Sequence, residues 1–388
     1  MISSWEIMRI RNFISVLLLL IMTSCVEKYW PEMTKYENVL VVDGELTNGD
    51  EVCEVRLSYS SSTNNGSLIT ISDAELYITD KHNIETPFNE IDNGVYQVTD
   101  TSFRGQIGNS YQLHIALANG RVYMSDIDIL TAPSPIDSVY GVHETHEDIN
   151  INHEIYGIHF YVNNHSDISD TCFYLWKLTQ TFEYHSSFDI DFLWMGWFKP
   201  NTNPDSLGTC WRTSNVDKIF TMSTEHLDQP VLTNFPLIYI STETKMLSVR
   251  YSLLVKQLSI SRNAFNFWDA LRQQNIDQGN LYSQQPLQIR GNVKNIVDPD
   301  ETVLGYFTVA GITKKRIYVN RPILPFYYGI CEPDFENIGW LYYEMNPNDW
   351  PTYVVDIPNR GKALGTSESC FDCRLEGGSI TPPEFWEN

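Results

Sequence analysis

The sequence predicts a mainly β protein: an N-terminal immunoglobulin-like β-sandwich followed by a second β-rich domain that carries one packed helix. Three observations predict it. Apolar and polar residues alternate with period two in many stretches of the chain, the signature of half-buried strands. Tyr, Phe and Trp number 22, 18 and 10, and these residue types fit a pleated surface better than a crowded helix interior. Helical spacing is clear in one stretch alone, after Ser261. With 388 residues, 42% of them apolar, the chain can bury more than one core, which excludes a disordered protein.

The first element is a targeting segment. Arg9 and Arg11 precede the apolar run Phe13–Ile21, which leads into Met22-Thr23-Ser24-Cys25, a small-residue cleavage site ending in cysteine. Residues 1–24 therefore read as a lipoprotein signal peptide and Cys25 as the residue that receives diacylglycerol and a further acyl chain. The run is too short for a hydrocarbon core that needs roughly 20 residues, so the mature chain is expected to be anchored, not spanning. Residues 25–37 read as a tether, stiffened at Trp30-Pro31.

The sandwich is expected over residues 38–130. Val39–Val42 runs into Gly44, and Cys53, Val55, Leu57 and Tyr59 alternate with Glu54, Arg56 and Ser58, which places Cys53 on the inward face. Ala74, Leu76 and Ile78 form a second such set, and Tyr111, Leu113, Ile115 and Leu117 a third. Asn119-Gly120 supplies the positive φ angles of a tight hairpin before Val122 and Met124. Pro133 and Pro135 then mark a linker over 131–137, because proline disfavours both helix and ladder.

The second domain is expected over 138–388. Strands are read at Ile158–Val162, Cys172–Tyr184, Met246–Gln257, Val303–Val309 and Arg316–Val319. The helix is placed near 262–275: Ala264, Phe265, Trp268 and Leu271 share a face, and Ser261 caps the first free amides. From Pro322 onward the tail is rich in Tyr, Trp, Pro and Cys.

Charge limits the partners. Removing residues 1–24, with Arg9, Arg11 and Glu6, takes the net charge from −23 to −24, a field that repels phosphate backbones and anionic headgroups. Nucleic acid is excluded, and the lipid is the expected membrane contact. His143, Glu144, His146, Glu147, Asp148 and His153 are crowded enough to suggest zinc, but no HExxH pattern occurs and a solvated loop explains the composition better, so no metal is expected. Asp298-Pro299-Asp300-Glu301 reads as a turn because it lacks the alternating ligands and glycine of a calcium loop.

Cys370-Phe371-Asp372-Cys373 has redox spacing but sits in a turn-rich tail, not at a helix N-terminus. Structural disulfides joining Cys370 and Cys373 to Cys210 and Cys331, in either arrangement, or one bridge within the pair, are the expectation for an exported chain. Cys53 and Cys172 read as core residues. The sequence contains no GxSxG, no SxxK and no glycine-rich phosphate loop, so neither catalytic residues nor a cofactor are assigned. The stretch 192–198 does not alternate. It reads equally as a strand buried on both faces or as an exposed loop, and in the second case Trp194, Trp197 and Phe198 form a binding surface.

An ordered set of segments carries a family resemblance: Leu40–Gly44, Ile71–Ala74, Phe103–Gly105, Pro135–Val139, Tyr251–Gln257, Ala264–Trp268, Pro286–Val293, Leu304–Phe307, Cys370–Leu375 and Pro383–Trp386. The chain resembles, over residues 38–387, a Bacteroidota lipoprotein family known as domain of unknown function 4249. The resemblance implies an outer-membrane lipoprotein found beside TonB-dependent transporters, with no catalytic residues to carry over. The expectation is thus a non-enzymatic accessory lipoprotein that binds such a transporter or its cargo. An envelope hydrolase acting on polysaccharide or peptide and a structural envelope protein are the alternatives.

Overall fold

Alternation becomes a sheet only where strands find partners, and in the computed structural model of the chain most find each other in a single sheet of 15 strands. The structure describes residues 39–60, 69–148, 153–166, 171–277 and 289–386; Cys25, the signal peptide and the tether lie outside them. The fold is mainly β, as expected, with sheets packed face to face and one helix of 16 residues. Among the described residues no helix is long and apolar enough to cross a membrane.

The N-terminal part follows its sequence pattern closely. Strand Leu40–Thr47 turns Leu40, Val42 and Leu46 inward, and strands Glu54–Tyr59, Val95–Val98, Glu85–Asp92, Glu75–Asp80, Ser110–Ala116 and Val122–Ser125 follow as successive neighbours in the sheet. Cys53 is buried, as its place in the alternation requires. In the hairpin after Ala116 only Gly120 adopts a positive φ, +84°; Asn119 does not, because the turn is closed by Gly120 N–H to Leu117 O and Leu117 N–H to Arg121 O. The loop is therefore longer than the two-residue turn expected from Asn-Gly.

Residues from far along the chain complete this core. Strand Val293–Asn295 pairs with Val122–Ser125 at one end, and Val303–Ala310 pairs in parallel with Leu40–Thr47 at the other. Val293, Val303, Phe307 and Val309 enter the same buried cluster as Val55, Leu57, Leu113 and Tyr123. Asn292 clasps the two ends together: its Oδ1 accepts from the Phe307 N–H and its Nδ2 donates to the Phe307 carbonyl, both at 2.9 Å. The linear division at 131–137 thus separates segments that share one sheet and one core.

The second core is layered on the far half of that sheet. In strand Phe173–His185, Tyr174, Trp176 and Leu178 point to one side and Phe173 and Leu175 to the other, and both sides are buried. The first side packs on a separate three-stranded sheet made of Ile136–His146, Ile155–His165 and Val231–Ser241, through Val139, Ile158, Phe160, Val162 and Ile240. The second side receives helix Arg262–Asp277, whose Ala264 and Phe267 pack on Leu175, Leu258, Tyr306 and Ala310. Ser261 caps it as expected, with its Oγ accepting from Ala264 N–H at 3.3 Å.

One buried amide ties the layers. Gln257 is fully buried, and its Oε1 accepts from Asn164 Nδ2 at 2.8 Å in the three-stranded sheet and from Trp176 Nε1 at 3.0 Å. Its Nε2 donates to the carbonyl of Ser134 in the linker at 3.0 Å. The linker is thereby a bonded part of the frame.

The tail from residue 331 is a small subdomain. Strands Phe198–Pro200, Phe192–Trp194, Thr352–Ile357, Gly361–Gly365 and Pro333–Asp334 form a five-stranded sheet in that order. Two disulfides fasten it. Cys331–Cys370 lies within it, and Cys210–Cys373 joins it to strand Thr209–Asn215 of the large sheet. The CxxC is therefore two halves of two structural bridges, while Cys53 and Cys172 carry no disulfide. Burial pushes the Cys53 thiol far above its ordinary value, which keeps it unreactive.

Two stability predictions follow from this frame. Gly305 lies in the parallel pairing at φ +84°, and a Cβ there would stand 2.0 Å from Val42 O, whereas Gly120 at the same φ has nothing within 4 Å. Gly305→Ala should cost clearly more than the roughly 1 kcal/mol expected of Gly120→Ala, read as the difference in unfolding free energy in urea; equal costs contradict the close approach. Gln257→Leu should destabilise by about 2–4 kcal/mol, because Asn164 and Trp176 lose a buried acceptor; a neutral effect in the same assay contradicts its role as the tie between layers.

Candidate functional site

Aromatic residues gather where the hairpin 192–200 meets the tail. Phe192–Trp194 pairs with Thr352–Val354, and Trp194 is thereby turned into the subdomain core beside Leu341, Val354 and Leu364, at 3% exposure. Of the three residues read as a binding surface, Trp194 is thus buried, Phe198 is half-buried and Trp197 is exposed, at 59%. The reason is local: 192–194 and 198–200 are strands, and Met195, Gly196 and Trp197 form the turn between them.

The tail supplies what the hairpin alone lacks. The ring of Tyr342 meets Trp194 at 4.7 Å and Phe198 at 5.9 Å, both edge to face. Trp350 lies against the turn, with its ring 2.8 Å from the position a Cβ on Gly196 would take. Tyr342, Trp340 and Trp350 are exposed, as is Tyr343 at 89%. Trp197, Tyr342 and Trp350 are therefore exposed aromatic residues on or against the hairpin, and Trp340 and Tyr343 are exposed on the same tail segment as Tyr342. The tail half was not assigned from sequence, because nothing in residues 337–350 indicates that they fold over the hairpin.

A groove of about 770 Å³ opens elsewhere, between strand Phe220–Ser223, residues 235–237 and the end of helix Arg262–Asp277. Ile219, Phe220, Met222, Leu237 and Ile276 give it apolar walls, and Arg272 and His159 are polar groups on its lining. Arg272 is already engaged, donating from Nε to Asp269 at 2.8 Å and to Thr221 at 3.0 Å.

His159 also belongs to a polar cluster on the outer face of the three-stranded sheet. Its Nδ1 lies 2.9 Å from Oε2 of Glu144, and Nε2 of His146 lies 3.4 Å from the same oxygen. Tyr161 donates to the other carboxylate oxygen at 2.5 Å. The Tyr161 hydroxyl, followed by the His159 ring, holds the Glu144 carboxyl below the usual carboxylate range.

The solvated loop expected for 143–148 is a strand as far as His146, and alternation turns Glu144 and His146 to the same face. His153 belongs elsewhere, 2.9 Å from Glu243 and stacked on Tyr327. Asp298–Glu301 forms the expected turn, closed by Glu301 N–H to Asp298 O, and Glu301 is spent on Arg121, Tyr123 and Asn295.

Fold and surface define a mainly β, disulfide-fastened protein with an exposed aromatic face and a separate His/Glu cluster. The model of the family described as a domain of unknown function, DUF4249, matches residues 26–316, and the chain belongs to that family. The match includes the groove, the His/Glu cluster and the hairpin 192–200, and stops short of the 337–350 segment. Among curated proteins none matches the chain.

The geometry separates the two tryptophans experimentally. Trp194→Ala should cost about 3–5 kcal/mol of stability as a buried large-to-small change. Trp197→Ser should stay within about 0.5 kcal/mol of the parent, measured by urea unfolding. A comparable loss in both variants would show that the turn is packed, not presented.

Proposed function

We propose that the protein is an outer-membrane accessory lipoprotein of a Bacteroidota envelope, held by acyl chains on Cys25, that binds a TonB-dependent transporter. The observation that carries the reading is the aromatic face. Trp197 stands exposed in the hairpin turn, Tyr342 and Trp350 are exposed where they pack against the hairpin, and Trp340 and Tyr343 are exposed on the same tail segment as Tyr342. Large aromatic side chains in contact with water are what protein interfaces use as anchors, since they bury much area at small entropic cost.

The rest of the molecule is consistent with an attached binding part. The net charge of −23 repels anionic surfaces, which leaves the lipid as the means of holding the body at the membrane. One disulfide, Cys210–Cys373, fixes the aromatic subdomain to the large sheet and a second, Cys331–Cys370, fastens it internally, so the face is presented without a large ordering cost on binding.

Extraction in mild detergent followed by affinity purification and mass spectrometry tests this reading. A β-barrel transporter should co-purify with the wild type, and recovery should fall at least tenfold in the double variant Trp197→Ser/Tyr343→Ser while its unfolding midpoint stays unchanged. Cys25→Ser should move the protein to the soluble fraction without the acyl mass. Recovery of the wild type without a barrel, or a double variant that still carries one, contradicts the proposal.

A further inference from the structure

The cluster on the outer face of the three-stranded sheet is built like a metal site, and we propose that Glu144, His146 and His159 bind one divalent transition-metal ion of the zinc, nickel or copper kind. The side-chain donors are two imidazoles and one carboxylate, the set such ions favour over magnesium or calcium. One ligand atom from each residue lies within 4.8 Å of those of the other two. Nδ1 of His159 and Nε2 of His146 stand 2.9 and 3.4 Å from Oε2 of Glu144. Donors bound at 2.0–2.2 Å to a tetrahedral ion are separated by roughly 3.3–3.5 Å, so small side-chain rotations suffice to seat the ion.

The orientation of the donors is imposed by their neighbours. Register pairs Glu144 with Gly157 and Val142 with His159, which brings the three side chains to one face of adjacent strands. The ring of His146 stacks on Tyr239 at 4.0 Å, and that of His159 lies 4.6 Å from Tyr161. Tyr239 is fixed in turn by donating to Ile155 O at 2.9 Å, over Gly157, where a Cβ would stand 2.6 Å from its ring. Tyr161 occupies Oε1 of Glu144, leaving Oε2 to face the imidazoles. This is the outer layer of hydrogen bonds that bound metals use to orient a carboxylate.

Three protein donors leave at least one position for water or a ligand atom, as in open zinc sites. Of the three ligands only His159 also lines the groove of about 770 Å³.

Calorimetric titration of the purified lipidated protein in detergent with Zn²⁺ or Ni²⁺, and metal content after dialysis, provide the test. One ion per chain is expected, with affinity reduced at least tenfold in each of His146→Ala, His159→Ala and Glu144→Gln. Tyr161→Phe should weaken it by about tenfold through the carboxylate it orients. Cu²⁺ electron paramagnetic resonance on the unmodified chain gives a readout independent of any variant, and two imidazole nitrogens should appear in its hyperfine pattern. Absence of saturable binding, a spectrum with no or one nitrogen, or binding that survives His159→Ala in a folded variant would overturn the assignment.

Discussion

The structure depends on one strand. Val303–Asn320 is 18 residues long; its first part pairs in parallel with Leu40–Thr47 and its second, from Gly311, pairs antiparallel with Arg250–Ser259. Phe307 and Val309 fill the N-terminal core, while Tyr306, Ala310 and Ile312 support the helix. Backbone hydrogen bonds are strong and their loss in a buried sheet is costly, so neither core can open along this strand without disturbing the other. The linker crosses it closely, since a Cβ on Gly311 would lie 2.3 Å from Thr131 O.

That constraint decides where function can reside. The far half of the large sheet is covered on one side by the three-stranded sheet and on the other by the helix, and its buried Gln257 is consumed in holding the layers. Chemistry and recognition are left to the outside: the outer face of the three-stranded sheet, the groove beside the helix, and the aromatic hairpin. The first two are built mainly on strands and helix, and the third on a short turn between two paired strands, which gives fixed positions to side chains that would otherwise lose entropy on binding.

Much of the frame is legible in the sequence wherever a strand or helix has one buried and one wet face. Strands with one wet face announce themselves by alternation, as at 53–59 and 111–117, and the helix after Ser261 has both spacing and cap. Strand Glu85–Asp92 did not, because Pro87 and five exposed positions erase the pattern. Ile136–His146 was read as a polar loop near its end for the same reason: its outer half has little to bury. The parallel contact between residues 40–47 and 303–310, and the meeting of Glu144 with His159, are long-range and register-dependent. A one-residue slip would send His159 to the opposite face, and no local pattern encodes that choice. The cysteines were legible as a set but not as pairs, since four cysteines allow three connectivities.

Hydrogen-exchange mass spectrometry on Phe307→Ala addresses the central claim directly. Phe307 contributes to the N-terminal core and is absent from the cluster around Tyr251 and Leu253. If the long strand couples the two cores, peptides spanning 40–47 and 250–259 should lose protection by the same free energy. Faster exchange confined to the N-terminal peptides, with 250–259 as protected as in the wild type, would contradict the account.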